Sequence, residues 1–210
     1  MTATNTSRTA GANGRLWGMR ARDWADLQEG GFRAGYVAAL EHAAVGAGTR
    51  YLDAGCGSGM AAALAADRGA QVTGIDASDS LLQIARDRVP QGAFQTGDLE
   101  DLPFGDDSFD VVVGFNSFQY AGNPGAALAQ ARRVTAPSGT VVIMTWGEPD
   151  GMEAAAIVGA LKPLLPPPPP GAPGPFALSD EARLRAFAAE AGRARDRLLR
   201  CGGEGHGRLR

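Results

Sequence analysis

The segment Tyr51-Leu-Asp-Ala-Gly-Cys-Gly-Ser-Gly59 constrains the fold of this chain more than any other stretch. A short apolar run ends in glycines at 55, 57 and 59, and an alanine-rich stretch follows. Glycines let the backbone turn tightly and let a ligand approach without side-chain obstruction. At the head of a helix, such a loop also exposes unpaired N–H groups. The motif therefore reads as strand, loop and helix. Taken alone, it is weak evidence, because a tight strand–helix connection that binds nothing is the alternative.

The rest of the chain extends the pattern. Further apolar runs lie at 72–75, 93–96, 109–115 and 140–146, beside the first at 51–54, with helical stretches at 59–69, 78–89 and 123–135. Phe109-Asp-Val-Val-Val-Gly-Phe115 and Thr140-Val-Val-Ile-Met-Thr-Trp146 show little alternation, which suits strands buried on both faces of a parallel sheet. Repeated strand–helix–strand units predict a doubly wound, Rossmann-like α/β domain with a mostly parallel sheet.

Two acids sharpen the reading of the loop. Val72-Thr-Gly-Ile-Asp76 ends the second run on a carboxylate, which can accept both hydroxyls of a ribose held over the first loop. A capping role for Asp76 is the plainer alternative, but Ser78 and Asp79 can cap the next helix without it. Phe94-Gln-Thr-Gly-Asp98 closes the third run on another acid, suited to an exocyclic amino group, with Leu99 and Leu102 as apolar walls. A dinucleotide fingerprint would place its third glycine where this chain has Met60, and there is no Gly-Lys-Ser/Thr phosphate loop.

These residues resemble the class I S-adenosylmethionine-dependent methyltransferases, in particular a small-molecule branch similar to quinone-biosynthesis methyltransferases. Leu52-Asp-Ala-Gly-Cys-Gly-Ser-Gly59 is similar to the first motif, Ile75-Asp76 to the ribose-binding acid and Gly97-Asp98-Leu99 to the adenine-binding element. Phe109-Asp-Val-Val resembles the fourth strand, and Arg132-Arg-Val-Thr-Ala-Pro-Ser-Gly139 the turn before the fifth, although Ala136 and Ser138 depart from the usual residues.

The resemblance implies S-adenosylmethionine as cofactor and S-adenosylhomocysteine as product. Its contacts would lie at Asp53, Gly55, Cys56, Gly57, Gly59, Asp76, Ala77, Asp98, Leu99, Phe115 and Asn116. Asp53 and Gly55 would hold the methionine amino group, the backbone of 115–117 would close over it, and Trp17, Met19 and Arg20 would belong to an N-terminal lid. It further implies a seven-stranded sheet. The enzymatic reading is methyl transfer to a small-molecule acceptor by in-line displacement. A nucleotide-cofactor oxidoreductase and an impaired or non-enzymatic cofactor-binding module are the alternatives.

The inventory of reactive side chains is thin. The chain has two cysteines, Cys56 and Cys201, and two histidines, His42 and His206, too few for a disulfide scaffold or a Cys/His metal centre. Its single lysine is Lys162. No catalytic residue is assigned; Tyr120, Glu148 and Asp150 are candidates, while Gln119 and Asn116 can orient an acceptor. Cys56 reads as a small packing residue within the loop. The net charge of −3 argues against nucleic acid as partner, and no apolar run is long enough for a membrane helix. A small-molecule partner and a cytoplasmic location are expected; the oligomeric state is not legible.

The ends differ from the centre. Residues 1–14 are small and polar and read as a disordered leader. The methyltransferase-like domain is read over 15–192, with helical lid segments first and a proline-rich stiff loop at 163–175. Beyond it, 193–210 contain six arginines and four glycines but no β-branched residue, a composition that does not form a central strand. The expectation is that a shifted reading frame replaced the last two strands of the family fold. A basic nucleic-acid arm is the rival, and sequencing the gene distinguishes the two.

Overall fold

The computed structural model describes residues 8–149, 159–160 and 174–190. Five strands form one parallel sheet in the order β3-β2-β1-β4-β5. They are β1 (Arg50–Ala54), β2 (Gln71–Asp76), β3 (Ala93–Thr96), β4 (Phe109–Phe115) and β5 (Thr135–Met144). The glycine-loop strand therefore sits at the centre, flanked by β2 and β4. The expected Rossmann-like architecture is present. Residues 193–210 and most of the 163–175 segment lie outside the described residues.

Alternation along the strands builds two apolar layers. Leu52, Ala54 and Val112 pack on one face with α6 (Pro124–Val134) and α7 (Glu181–Glu190). Tyr51, Val111 and Val113 pack on the other with α3 (Arg33–His42) and α4 (Met60–Ala66). Because both faces are covered, β1 and β4 are buried along almost their whole length. Thr140 of the edge strand β5 is instead exposed and 141–144 are only half-buried, unlike the fully buried strand expected there. The side chain of Ser78 caps α5 (Asp79–Arg88) by accepting from the Leu81 amide at 3.3 Å. Asn123 caps α6 through the Ala126 amide at 3.1 Å, with Pro124 opening the helix.

Two boundaries differ from the sequence reading. β5 begins five residues earlier than expected: Thr135 pairs with Phe109 and Thr140 with Val111, so a bulge accommodates the intervening residues. The N-terminal segment is also structured earlier, because α1 spans Ala10–Gly18 where a disordered leader reaching residue 14 was expected. Tertiary bonds account for this. Thr9 Oγ1 and Asn13 Nδ2 donate to the Tyr120 carbonyl at 2.7 and 2.9 Å. Gly14 meets the β2–α5 connection so closely that a Cβ there would lie 2.2 Å from the Ala77 carbonyl oxygen. Next come a short helical turn, α2 (Ala21–Asp23), a π-helical turn over Trp24–Gln28 and a 3-10 turn over Glu29–Phe32.

Candidate cofactor site

The carboxyl ends of β1 to β4 open onto one cleft enclosing about 1000 Å³, part of it shared with solvent. This is the place where open α/β sheets bind ligands, because loops diverge there without covering the strand ends. Its wall includes Asp53, Gly55, Cys56, Gly57, Asp76, Ala77, Asp98, Leu99, Phe115 and Asn116, ten of the eleven residues expected from sequence. Gly59 is set back from that wall. It caps α4 at φ +83°, and its missing Cβ allows α5 to approach, since one would lie 2.7 Å from the Ala85 Cβ.

Asp53 lies at the base of the cleft. It is buried, and its Oδ2 has no hydrogen-bond partner among the described residues. Burial pushes its pKa up to about 8, helped by the nearby charges of Glu29 and Asp76. A buried carboxyl with an unmatched acceptor atom, facing a cleft, is suited to an ammonium group.

Asp76 is held differently. Its Oδ1 accepts from the Ser78 amide at 2.8 Å and its Oδ2 from the Gly57 amide at 2.9 Å. Burial raises its pKa, while the Ser78, Gly57 and Ala77 amides oppose the rise. Ser78, not Asp76, supplies the helix cap. The carboxylate is thus oriented on two amides and also borders the cleft. Asp98 sits beyond β3, where its Oδ1 accepts from the Glu100 amide at 2.9 Å.

The loop is fixed from below. The Gly55 and Cys56 amides both donate to the Ile75 carbonyl, at 2.8 and 3.0 Å. The Cys56 thiol is buried, and that burial, together with the Asp76 charge, pushes its pKa up, so it is an inert packing group. Opposite the loop, Asn116 adopts a left-handed conformation (φ +49°) and its amide donates to the Met144 carbonyl at 2.8 Å.

The other sequence candidates divide. Trp17 and Tyr120 line the cleft, and burial pushes the Tyr120 phenol up. Met19 is 71% exposed, and Arg20 pairs with Asp23 at 3.3 Å outside the cleft wall. Gln119 is buried behind the wall, bonded to Asn116 Oδ1 at 3.4 Å. Glu148 and His42 are exposed away from the cleft, and Asp150, Lys162 and His206 lie outside the described residues. No cluster of metal-ligating side chains occurs among the described residues, and none of their helices is long and apolar enough to cross a membrane.

Sequence reasoning missed part of the wall. Thr9, Asn13, Trp24, Glu29, Tyr36 and Trp146 border the cleft as well. The aromatics form a connected set: Trp24 stacks on Phe32 with centroids 5.7 Å apart, Trp146 meets Phe32 edge-on at 4.9 Å, and Tyr36 stacks on Phe115 at 5.0 Å. Thr9 and Asn13 stand one helical turn apart, but nothing in their spacing indicates that the Tyr120 carbonyl receives both.

An acid at the tip of each of β1 and β2 and a third just past β3 thus stand beside an open glycine loop on one cleft. The orphan Asp53 oxygen and the amide-anchored Asp76 fit S-adenosylmethionine. Sequence comparison agrees. Residues 52–143 match the methyltransferase domain family model, so this segment is a methyltransferase domain of the class I S-adenosylmethionine-dependent type.

Among similar curated proteins is the malonyl-[acyl-carrier protein] O-methyltransferase of Erwinia pyrifoliae. It is 39% identical over 117 residues, covering 56% of this chain and 45% of that protein. The demethylmenaquinone methyltransferase of Renibacterium salmoninarum is 38% identical over 108 residues, covering 50% of this chain and 46% of its own length. The chain thus spans less than half the length of these relatives. A solved chain in the complex of the Haloferax volcanii Trm112 methyltransferase activator with a methyltransferase is 31% identical, with a TM-score of 0.56 over 68% of this chain and 62% of that one. A Thermotoga maritima S-adenosylmethionine-dependent methyltransferase shares the fold at 18% identity, with a TM-score of 0.62 over 85% and 80% of the two chains.

Proposed function

We propose that this chain transfers a methyl group from S-adenosylmethionine to a small-molecule acceptor by in-line displacement. The observation that carries the reading is the placement of Asp53, Asp76 and Asp98 at the ends of three adjacent strands on one cleft. In this reading Asp53 takes the amino group, Asp76 the ribose hydroxyls, and Asp98 with Leu99 the adenine. Gly55, Cys56 and Gly57 form the floor, Ala77 the ribose side, and the backbone at Phe115 and Asn116 closes the methionine end.

When bound, S-adenosylmethionine supplies a methyl group on a positively charged sulfur that is already activated for displacement. The chain's own contribution is then to position the acceptor and exclude water. Its wall suits both roles. Trp17, Trp24, Tyr36, Phe115, Tyr120 and Trp146 are large aromatic surfaces, and no His or Lys lies among the described lining residues. The upward shift of the Tyr120 phenol makes it a poor acid at neutral pH. We therefore assign no general base. The name of the demethylmenaquinone methyltransferase supports a small-molecule acceptor, while that of the malonyl-[acyl-carrier protein] O-methyltransferase points to a small acyl group carried on a protein.

Titration calorimetry of the full chain tests the reading. Binding of S-adenosylhomocysteine with no heat from NADH is expected. Binding of NADH alone overturns it in favour of an oxidoreductase. Methyl transfer from labelled cofactor to a metabolite extract separates an active enzyme from an inactive cofactor-binding module.

A further inference from the structure

One ion pair, with a buried carboxylate and a partly buried guanidinium, lies outside every role assigned so far. Glu29, in the 3-10 turn after the π-helical turn, is only 2% exposed. Its Oε1 accepts from the amide of Met60, the first residue of α4, at 3.2 Å. Its Oε2 accepts from Arg88 at the end of α5. Arg88 is shared further: it donates to the Ser58 carbonyl in the glycine loop at 2.9 Å and to the Ala25 carbonyl in the π-helical turn at 3.3 Å.

Four separate pieces of chain therefore meet at two side chains: the N-terminal segment, the glycine loop, the start of α4 and the end of α5. A buried charge left without its partner is costly, so the pair holds its members in one geometry. That geometry matters for the cleft. Trp24 begins the π-helical turn that leads to Glu29, and its Nε1 lies 3.7 Å from where a Cβ on Gly57 would be. Glu29 itself lines the cleft, within the electrostatic reach of Asp53 and Tyr36.

We propose that the Glu29–Arg88 pair is the clasp that registers the aromatic N-terminal wall on the glycine loop, making both residues positioning residues for the cofactor end of the cleft. The proposal rests on the cofactor reading above but adds a coupling that the reading does not need. With the clasp intact, Trp24 and the loop form one preset surface. Without it, the wall and the loop must be ordered when the ligand arrives, and binding weakens by the cost of that ordering.

The test is a double-mutant cycle on the full chain with Glu29→Gln, Arg88→Gln and the combined variant. S-adenosylhomocysteine serves as the probe because it lacks the sulfonium charge, which reduces the influence of the cleft's acidity. Each single variant is expected to weaken binding roughly 5- to 150-fold, the range of ordinary coupling energies. The combined variant should be no weaker than the worse single one, since both break the same unit.

A spectroscopic readout accompanies it. All three tryptophans of the chain, Trp17, Trp24 and Trp146, line the cleft, so intrinsic fluorescence reports on that wall. Acrylamide quenching should rise in the single variants before any ligand is added. Leu178→Ala, which opens the core on the far side of the sheet, controls for general destabilisation. It should lower the melting temperature while leaving affinity and quenching as in the wild type. Additive losses in the cycle, unchanged quenching, or equal effects in Leu178→Ala overturn the clasp. Failure of the wild type itself to bind the probe overturns the cofactor reading instead, while the quenching comparison still decides the clasp.

Discussion

The amide of Gly57 and the carboxylate of Asp76 are bonded at 2.9 Å, so the loop after β1 and the acid ending β2 are one unit. Removing the acid has two effects. Asp76→Ala would abolish the proposed ribose contacts and also free the loop amide. Charge-assisted hydrogen bonds contribute about 1.5–3 kcal/mol each, so binding of S-adenosylhomocysteine should fall from tenfold to several hundredfold or more. Calorimetry reads the loss, and circular dichroism should show the fold retained. Unchanged affinity would reduce Asp76 to a tether for the loop.

Gly55 and Gly57 should respond unequally to alanine. Both have positive φ, +85° and +52°, which costs a side chain about 1–2 kcal/mol. A Cβ on Gly55 would in addition lie 2.3 Å from the Ser117 Cβ, joining the β1 and β4 loops too closely, whereas on Gly57 the nearest atom is 3.7 Å away. Gly55→Ala should therefore lower the melting temperature well beyond Gly57→Ala in the same thermal scan. Equal losses would mean that the β4 loop yields.

The Asp53 carboxyl gives a pH signature. With its pKa at about 8 in the free chain, it is mostly protonated at pH 7, and an ammonium ligand must draw off that proton. Affinity for S-adenosylhomocysteine should rise between pH 6 and about 8 and then flatten. Calorimetry at pH 7 in buffers of different ionisation enthalpy should show net proton release. Asp53→Asn should bind weakly and release none.

Linkage also gives a stability prediction for the same group. A carboxyl whose folded pKa is raised favours the protonated native state, so its contribution declines as pH rises from about 4 to about 8 and is flat above. Asp53→Asn removes that decline. Denaturant titrations should show the variant gaining stability over the wild type as pH approaches 8. A constant difference across that range would place the raised pKa in doubt.

Strand β5 occupies one edge of the described sheet and pairs there with β4 alone, whereas β1 is paired on both sides. Amides of 140–144 should exchange with solvent faster than those of β1 and β4 in a monomeric sample. Equal protection would show that another segment covers the edge.

What could be read in advance follows a physical divide. The strands around Tyr51 and Phe109 were legible because burial on both faces leaves a continuous apolar run, and the loop because Gly55, Gly57 and Gly59 all take positive φ there. Helix α1 was not. Ala10-Gly-Ala-Asn-Gly has poor helix propensity and no apolar stripe, and it is held by Thr9 and Asn13 on a carbonyl more than a hundred residues away. Glu29 was invisible for the same reason, since a lone acid finds its partners only in the Met60 amide and Arg88, 31 and 59 residues on. The packing of α5 against Gly59 was not legible, because the spacing of the glycines belongs to the loop motif and says nothing of a neighbouring helix.

The order β3-β2-β1 sets a distance as well as a topology. Neighbouring strands lie about 4.8 Å apart, so the tips of β1 and β3 are separated by about 10 Å across the sheet. The cleft is therefore a ruler laid across the strands, with an acid near each graduation. A ligand that meets all three must be long and extended. Adenosine or methionine alone can touch only part of the scale, and each should bind far more weakly than the joined molecule.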